Sequence, residues 1–508
     1  MEEFHKVRRL PPYVFEQVNR LKASARAGGA DIIDLGMGNP DLPTPKAIVD
    51  KLCEVVQDPR THRYSSSKGI PGLRRAQAAY YARRFGVKLN PDTQVVATLG
   101  SKEGFANMAQ AITAPGDVIL CPNPTYPIHA FGFLMAGGVI RSMQVEPDDS
   151  FFPPLERAVR HSIPKPLALI INYPSNPTAY VATLDFYKEV VAFAKKHDII
   201  VLSDLAYSEI YFDDTPPPSV LEVPGAMDVT VEFTSMSKTF SMPGWRMGFA
   251  VGNERLIAAL TRVKSYLDYG AFTPIQVAAT HALNGDGSDI AEVRSIYKRR
   301  RDVLVDSFGK AGFEVPPPAA TMFAWAKIPE KFRHLGSLEF SKLLVEKADI
   351  AVAPGIGFGE MGDDYVRIAL VENEHRIRQA ARNLKRFLST ADETMHNVVS
   401  LNAHRSLIFF SRQPFPRLPC PKILIRNYPW QMPSKSALRA WAPLVPRSFV
   451  SFRAAPTSLP SPAAARSRSS PSRRAIAPRI AASTSPISNG SVARLIWRRR
   501  PISMCSLS

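Results

Sequence analysis

Lys238 lies in "SMSKTF", directly after the strand-like "VTVEF" and eight residues before Arg246. A surface lysine needs no such setting. A lysine that attacks a carbonyl carbon does, because it must shed its proton and be held against the electrophile. Asp204 in "LSDLAYSEI" precedes it by 34 residues, and Asn176 in "YPSNPT" precedes Asp204 by 28. A carboxylate at the end of an apolar strand suits a protonated ring nitrogen, since burial intensifies that pairing. Tyr207, three residues past Asp204, and Asn176 can hydrogen-bond a ring oxygen, and Tyr126 in "PNPTYP" can stack on a ring face.

A buried anion needs several donors, because an unpaired charge away from water is expensive. "LGSKEG" puts Ser101 and the backbone of Lys102 at the start of an expected helix, where free N–H groups and the helix dipole favour negative charge. Ser235, Ser237 and Arg246 add hydroxyls and a fixed positive fork. An imine-forming lysine, a ring-nitrogen carboxylate, ring-oxygen donors, an aromatic face and an anion cradle are together the requirements of a pyridoxal phosphate site. Arg367 in "YVRIAL" stands outside that set and suits a bidentate grip on a substrate carboxylate.

Singly, each residue has a plainer reading. Lys238 alone is a solvated or phosphate-binding lysine, Asp204 a helix cap, "SNPT" a turn, Arg367 a structural ion pair, and Tyr64 and Tyr126 packing residues. Those readings weaken jointly, because the residues fall in chain order at the ends of expected strands. His62 and His129 have no partners at metal-ligand spacing and read as structural, and "YKRRRD" reads as a solvated helix face. "GIGFGEMG" lacks a following helix, which argues against a dinucleotide fingerprint.

The elements that must position these groups alternate. Apolar runs such as "TQVVATLG", "GDVILCP", "PLALIINYP", "DIIVLSD" and "VTVEFTS" are separated by helix-like segments such as "KEGFANMAQAIT" and "LDFYKEVVAFAKKHD". This pattern predicts an α/β fold, a mostly parallel sheet flanked by helices, with ligands gathered at the carboxyl ends of the strands. Residues 45–280 are expected to form this large cofactor-binding domain. Residues 281–395 change texture, with a long charged helix, the short strands "TMFAWAKIP", "IAVAPG" and "YVRIAL", and a last helix, which predicts a smaller α+β domain. Residues 1–44 are expected to pack with it as an arm.

All but one unit of the formal net charge of +19 belongs to a last region, residues 396–508, which carry 18 Lys and Arg and no Asp or Glu. The preceding residues hold 46 basic and 45 acidic side chains, a near balance that gives no reason to expect nucleic-acid binding by the body. With 15 prolines and one glycine, the tail reads as disordered, either a translation artefact or, in the competing reading, a basic nucleic-acid arm. Cys53, Cys121, Cys420 and Cys505 show neither a disulfide framework nor a zinc pattern. With no apolar leader and no membrane-length apolar run, the expected location is the cytoplasm.

Through "SNPT", "DLAY", "SMSK" with Arg246 beyond it, and "YVRIAL", the chain resembles the class I/II aminotransferases, fold-type I pyridoxal phosphate enzymes, over roughly residues 5–392. "RLPPYVF", "DIIDLGMGNPD", "SSSKGIPGLRRA", "KSYLDYGAFTPIQVAA" and "PGIGFGEMGDDYVRIAL" look most like bacterial glutamate–pyruvate aminotransferases, a group similar to LL-diaminopimelate aminotransferases. The resemblance implies that Lys238 forms the imine and shuttles the substrate Cα proton, that Asp204 holds the pyridinium, and that Asn176 and Tyr207 hold the ring oxygen. It implies Arg367 for the α-carboxylate, which Gly38 and Tyr13 adjoin, and a homodimer in which Tyr64 reaches the partner's phosphate. The expected reaction moves an amino group from L-alanine to 2-oxoglutarate. LL-diaminopimelate transamination, β-lysis and a pyridoxal-sensing DNA-binding regulator are the alternatives.

Overall fold

The structure, a computed structural model, describes residues 4–143, 146–212 and 214–390. The basic tail and the readings placed on it lie outside the described residues. In chain order the described strands are β1 (Ile33–Asp34), β2 (Val95–Thr98), β3 (Val118–Pro122), β4 (Val139–Met143), β5 (Pro166–Asn172), β6 (Ile200–Asp204), β7 (Thr230–Ser235), β8 (Gly248–Gly252), β9 (Phe323–Lys327), β10 (Ile350–Ala351), β11 (Ala353–Pro354) and β12 (Tyr365–Ala369).

Seven of them form one sheet in the order β2-β8-β7-β6-β5-β3-β4. The five apolar runs singled out in the sequence are β2, β3, β5, β6 and β7. The interior strands β3, β5, β6 and β8 divide their apolar side chains between two cores, as a sheet covered on both faces requires, while β7 gives Val231 and Phe233 to one and turns the buried Glu232 toward Tyr81 on the other. Ile119, Ile170, Leu202 and Ala250 face a cluster with Phe105 and Met108 of the helix Ser101–Ile112. Leu120, Leu169, Ile171, Val201 and Val251 face the opposite cluster, with Tyr81, Phe186 and Val190 of the helices Pro71–Phe85 and Leu184–His197.

One strand departs from the expected parallel pattern. β8 runs antiparallel to both β2 and β7. Parallel neighbours need a crossover of a dozen or more residues, usually a helix, and the segment between β7 and β8 holds only the short helix Met236–Thr239 before it turns back. The loop that carries Lys238 and Arg246 is therefore a return rather than a crossover.

The remaining strands build a smaller sheet, β11-β12-β9, which is antiparallel, and a parallel pair, β1 with β10. The run "IAVAPG" is two strands, because it changes partner at Val352: β10 pairs with β1 and β11 with β12. The long helix Ser288–Lys310 packs Tyr297, Leu304 and Phe308 into the same core as Phe323 and Val366 of this sheet. Among the described residues no helix is long and apolar enough to cross a membrane.

Candidate active site

β2, β5, β6 and β7 end on the same side of the large sheet, and the residues just beyond them line one cavity: Ser101, Asn176, Asp204, Tyr207 and Lys238. Lys102, Tyr126, Ser235, Ser237 and Arg246 line it as well, and Arg367 enters from β12. Their gathering at the strand ends is the placement that the alternating pattern predicts.

Lys238 is the cation at the centre. Its Nζ donates to Gly38 O at 3.0 Å and lies 5.9 Å from the centre of the Tyr207 ring. Burial pushes its pKa down to about 7, helped by the positive charges of Arg367 and Arg246 and opposed by Asp204. The amine is thus available in both protonation states near neutrality.

This depression has a consequence for stability. A lysine whose folded pKa is below its unfolded value binds fewer protons in the folded chain between those two values, so stability rises with pH across that window. Below about 7 both states hold the proton and the full penalty of burying the ammonium remains. Lys238→Met should therefore raise the Tm of the cofactor-free protein at pH 6, with the advantage shrinking as pH climbs toward 10. Thermal unfolding at several pH values measures it; an equal gain at every pH would contradict the buried ammonium.

Asp204 is 5% exposed and sits in a hydrogen-bonded frame. Its Oδ1 accepts from Ala206 N at 3.2 Å and its Oδ2 from His129 Nε2 at 2.9 Å. The other ring nitrogen of His129, Nδ1, meets Thr125 Oγ1 at 2.8 Å. A carboxylate only accepts, so Nε2 carries the proton and a neutral ring satisfies both contacts. This corrects the reading of His129 as merely structural: it is fully buried behind Asp204 and fixes one carboxylate oxygen. The sequence signal was available only as "PNPTYPIH", because the partner is 75 residues away. Asn172 was missed too; its Nδ2 donates to Asp204 O at 2.8 Å and its Oδ1 accepts from Asn176 N at 2.9 Å.

The residues expected to cradle an anion lie on two turns that press together. Gly100, at φ 88°, precedes the helix Ser101–Ile112, and a Cβ there would sit 2.3 Å from Arg246 Nη2. Only glycine allows the guanidinium to lie against the start of that helix, where it donates to Leu99 O at 3.2 Å and to Pro243 O at 2.8 Å. The hydroxyls of Ser101 and Ser237 have no hydrogen-bond partner among the described residues, and the Ser235 hydroxyl accepts from Ser237 N at 3.2 Å.

Arg367 is 7% exposed and is held between Phe323 and Phe358, each ring centre 4.7 Å from its Cζ. Its Nη1 donates to Asn176 Oδ1 at 2.9 Å and its Nη2 to Gly36 O at 3.3 Å, while Nε is buried without a partner. No carboxylate of the described chain pairs with it. A buried guanidinium left in this state retains donor capacity that no carboxylate of the described residues takes up. A Cβ at Gly38 would lie 3.0 Å from Arg367 Nη2, so a larger residue there would press on the guanidinium. Tyr207 and Tyr126 are phenols that burial keeps protonated, so each can donate a hydrogen bond.

Two sequence-chosen residues are largely exposed, and only one of them lies away from the cavity. Tyr13 is 63% exposed at the cavity's rim. Tyr64 does not line the cavity; it is 87% exposed and its ring lies tilted by 38° against that of Tyr269, with ring centres 4.8 Å apart. Among the described residues no group of His, Cys, Asp and Glu is arranged to hold a metal ion.

These groups fit pyridoxal phosphate: a depressed lysine amine, a framed carboxylate, two phenols, and unpaired hydroxyls beside a guanidinium and a helix start. The sequence matches the family described as "Aminotransferase class I and II" over residues 30–384. AatC of Rhizobium meliloti (strain 1021), which carries an aminotransferase name, is 94% identical over 405 residues, spanning 80% of this chain and 100% of that one. Glutamate-pyruvate aminotransferase AlaC of Escherichia coli (strain K12) is 52% identical over 75% of this chain and 93% of its own. A solved structure of substrate-bound BacF from Bacillus subtilis superposes with a TM-score of 0.72 at 37% identity, covering 76% of this chain and 98% of that one. With fold, cavity and sequence in agreement, the chain belongs to the class I and II aminotransferases, a family whose cofactor is pyridoxal phosphate.

Proposed function

We propose that this aminotransferase moves the amino group of L-alanine to 2-oxoglutarate, giving pyruvate and L-glutamate. The observation that carries the chemistry is Lys238, a buried amine with its pKa near 7, placed among Asp204, Tyr207 and Arg367. The likeness to the glutamate–pyruvate enzyme supports the choice of substrates.

Pyridoxal phosphate, when bound, supplies a carbonyl that takes the substrate amine and a protonated ring that accepts the electrons of the Cα–H bond. Lys238 takes the Cα proton and returns one on the other side of the exchange, which needs an amine near half-protonation. Asp204 holds the proton on the ring nitrogen, with His129 and Ala206 N fixing its oxygens. Asn176 and Tyr207 hold the ring oxygen, and Tyr126 covers a ring face. Ser101, the Lys102 backbone, Ser235, Ser237 and Arg246 hold the phosphate. Arg367 takes the α-carboxylate common to both substrates, with Gly38 and Tyr13 at its side.

Of the two other cations that line the cavity, Lys22 is paired with Asp34, which leaves Lys102. Lys102 has no acidic partner among the described residues, and its Nζ stands 6.0 Å from the centre of the Tyr126 ring. It is free to meet the second carboxylate of glutamate or 2-oxoglutarate. Because the group is exposed, the gain is modest, so Lys102→Met should raise KM about fivefold for 2-oxoglutarate and leave that for pyruvate nearly unchanged.

Tyr64, Tyr266, Tyr269 and Leu267 are 62% to 87% exposed, an apolar surface that supports a homodimer in which Tyr64 reaches the neighbouring site. Incubating the holoenzyme with alanine and 2-oxoglutarate and following pyruvate tests the function. Consumption of LL-diaminopimelate without alanine turnover would reassign the substrate. Ammonia release from a cysteine-type substrate would make the protein a lyase.

A further inference from the structure

The loop 36–45 crosses the cavity between its two central cations. Gly38 O accepts from Lys238 and Gly36 O from Arg367, so the loop's position sets both. Two glycines make it free to move and three prolines, Pro40, Pro43 and Pro45, stiffen only its second half. Its placement depends on anchors.

At the far end Thr44 Oγ1 donates to Ser241 O at 2.6 Å, three residues beyond Lys238. The middle is held by Asp41, the one charged residue in the loop. Arg300 of the helix Ser288–Lys310 grips it with both terminal nitrogens, Nη1 at 2.8 Å and Nη2 at 2.9 Å. The same Nη1 donates to Leu370 O at 3.0 Å, directly after the strand that carries Arg367. Arg300 is 6% exposed, which overturns the reading of "YKRRRD" as a solvated face; Arg301 is 9% exposed.

We propose that Arg300 is a positioning residue for the substrate α-carboxylate. One guanidinium fastens the loop through Asp41 and the end of β12 through Leu370 O, and thereby keeps the Gly36 and Gly38 carbonyls in register with Arg367 and Lys238. A lysine cannot replace it, because a single ammonium lacks the planar fork that spans both carboxylate oxygens and a third acceptor. The inference rests on the assignment of Arg367 to the carboxylate.

The test compares Arg300→Met, Arg300→Lys and Asp41→Asn holoenzymes, with Arg84→Met as a control that breaks a pair to the buried Glu209, away from the loop. Calorimetric binding of 2-methylalanine, which has no Cα proton to lose, reads carboxylate recognition without turnover. Arg300→Met should weaken that binding and raise KM for alanine and 2-oxoglutarate about tenfold, with kcat changed by less than about threefold. Arg300→Lys should recover only part. Asp41→Asn should match Arg300→Met, and the double variant should be no worse than either. Arg84→Met should lower Tm and leave 2-methylalanine binding intact. If Arg300→Met does not fold, Asp41→Asn alone decides. Lower Tm with unchanged affinity, or an equal loss of affinity in Arg84→Met, overturns the proposal. A parent enzyme that binds 2-methylalanine but fails to exchange alanine with 2-oxoglutarate refutes the substrate assignment instead, and the binding comparison still judges Arg300.

Discussion

Lys238→Ala should fold, retain the phosphate cradle, and lose amino transfer by about four orders of magnitude or more in kcat. The side chain is asked to do two jobs that no neighbour can assume. With pyridoxal phosphate bound, it would hold the cofactor's carbonyl carbon in the absence of substrate, and it would carry a proton to and from the substrate's Cα. Burial and two guanidinium groups place its pKa near 7, the range in which an amine can both accept and give a proton. The phenols of Tyr207 and Tyr126 are pushed upward by burial, so neither can act as a base near neutrality. Lys238→Arg tests the same logic without removing the charge, since a guanidinium does not deprotonate in this range, and it should be as inactive as alanine. Stopped-flow and steady-state rates measure both, with circular dichroism to show the fold. A near-normal rate in either variant would remove Lys238 from the chemistry.

The parts of this site that sequence could reveal are those that obey a local rule. Lys238, Asp204, Asn176 and Ser101 each follow a strand whose apolar run is readable, and a parallel sheet delivers such positions to one side whatever the details of packing. Arg367 was readable for the opposite reason, as a charge inside an apolar strand. What remained hidden depends on contacts between distant segments. His129 finds Asp204 across 75 residues, and Arg300 finds Asp41 across 259. Neither partner lies at a spacing that a helix or strand period would mark. "YKRRRD" misled because three adjacent basic residues point in different directions around a helix: Arg299 is exposed while Arg300 and Arg301 are buried. The reversal of β8 was hidden as well, since an apolar run carries no sign of its direction.

Asp204→Asn should lower kcat by about three orders of magnitude while KM for alanine moves only a few-fold. The amide keeps the shape: its oxygen can still accept from Ala206 N while its NH2 donates to His129 Nε2, with the ring proton moved to Nδ1 facing Thr125 Oγ1, so the pocket should not collapse. What it loses is the negative charge that holds a proton on the ring nitrogen, and in a buried setting that charge is worth far more than it would be in water. Binding is spared because Arg367, the residue assigned to the substrate carboxylate, draws its contacts from Asn176 and Gly36 and not from Asp204. His129→Gln should cost less, about tenfold in kcat, because Asp204 retains its charge and its contact with Ala206 N and loses only one oriented donor. If His129 acts solely through that carboxylate, His129→Gln should cost almost nothing once Asp204 is already asparagine. A full tenfold loss in that background would mean that the histidine reaches the chemistry by a route of its own.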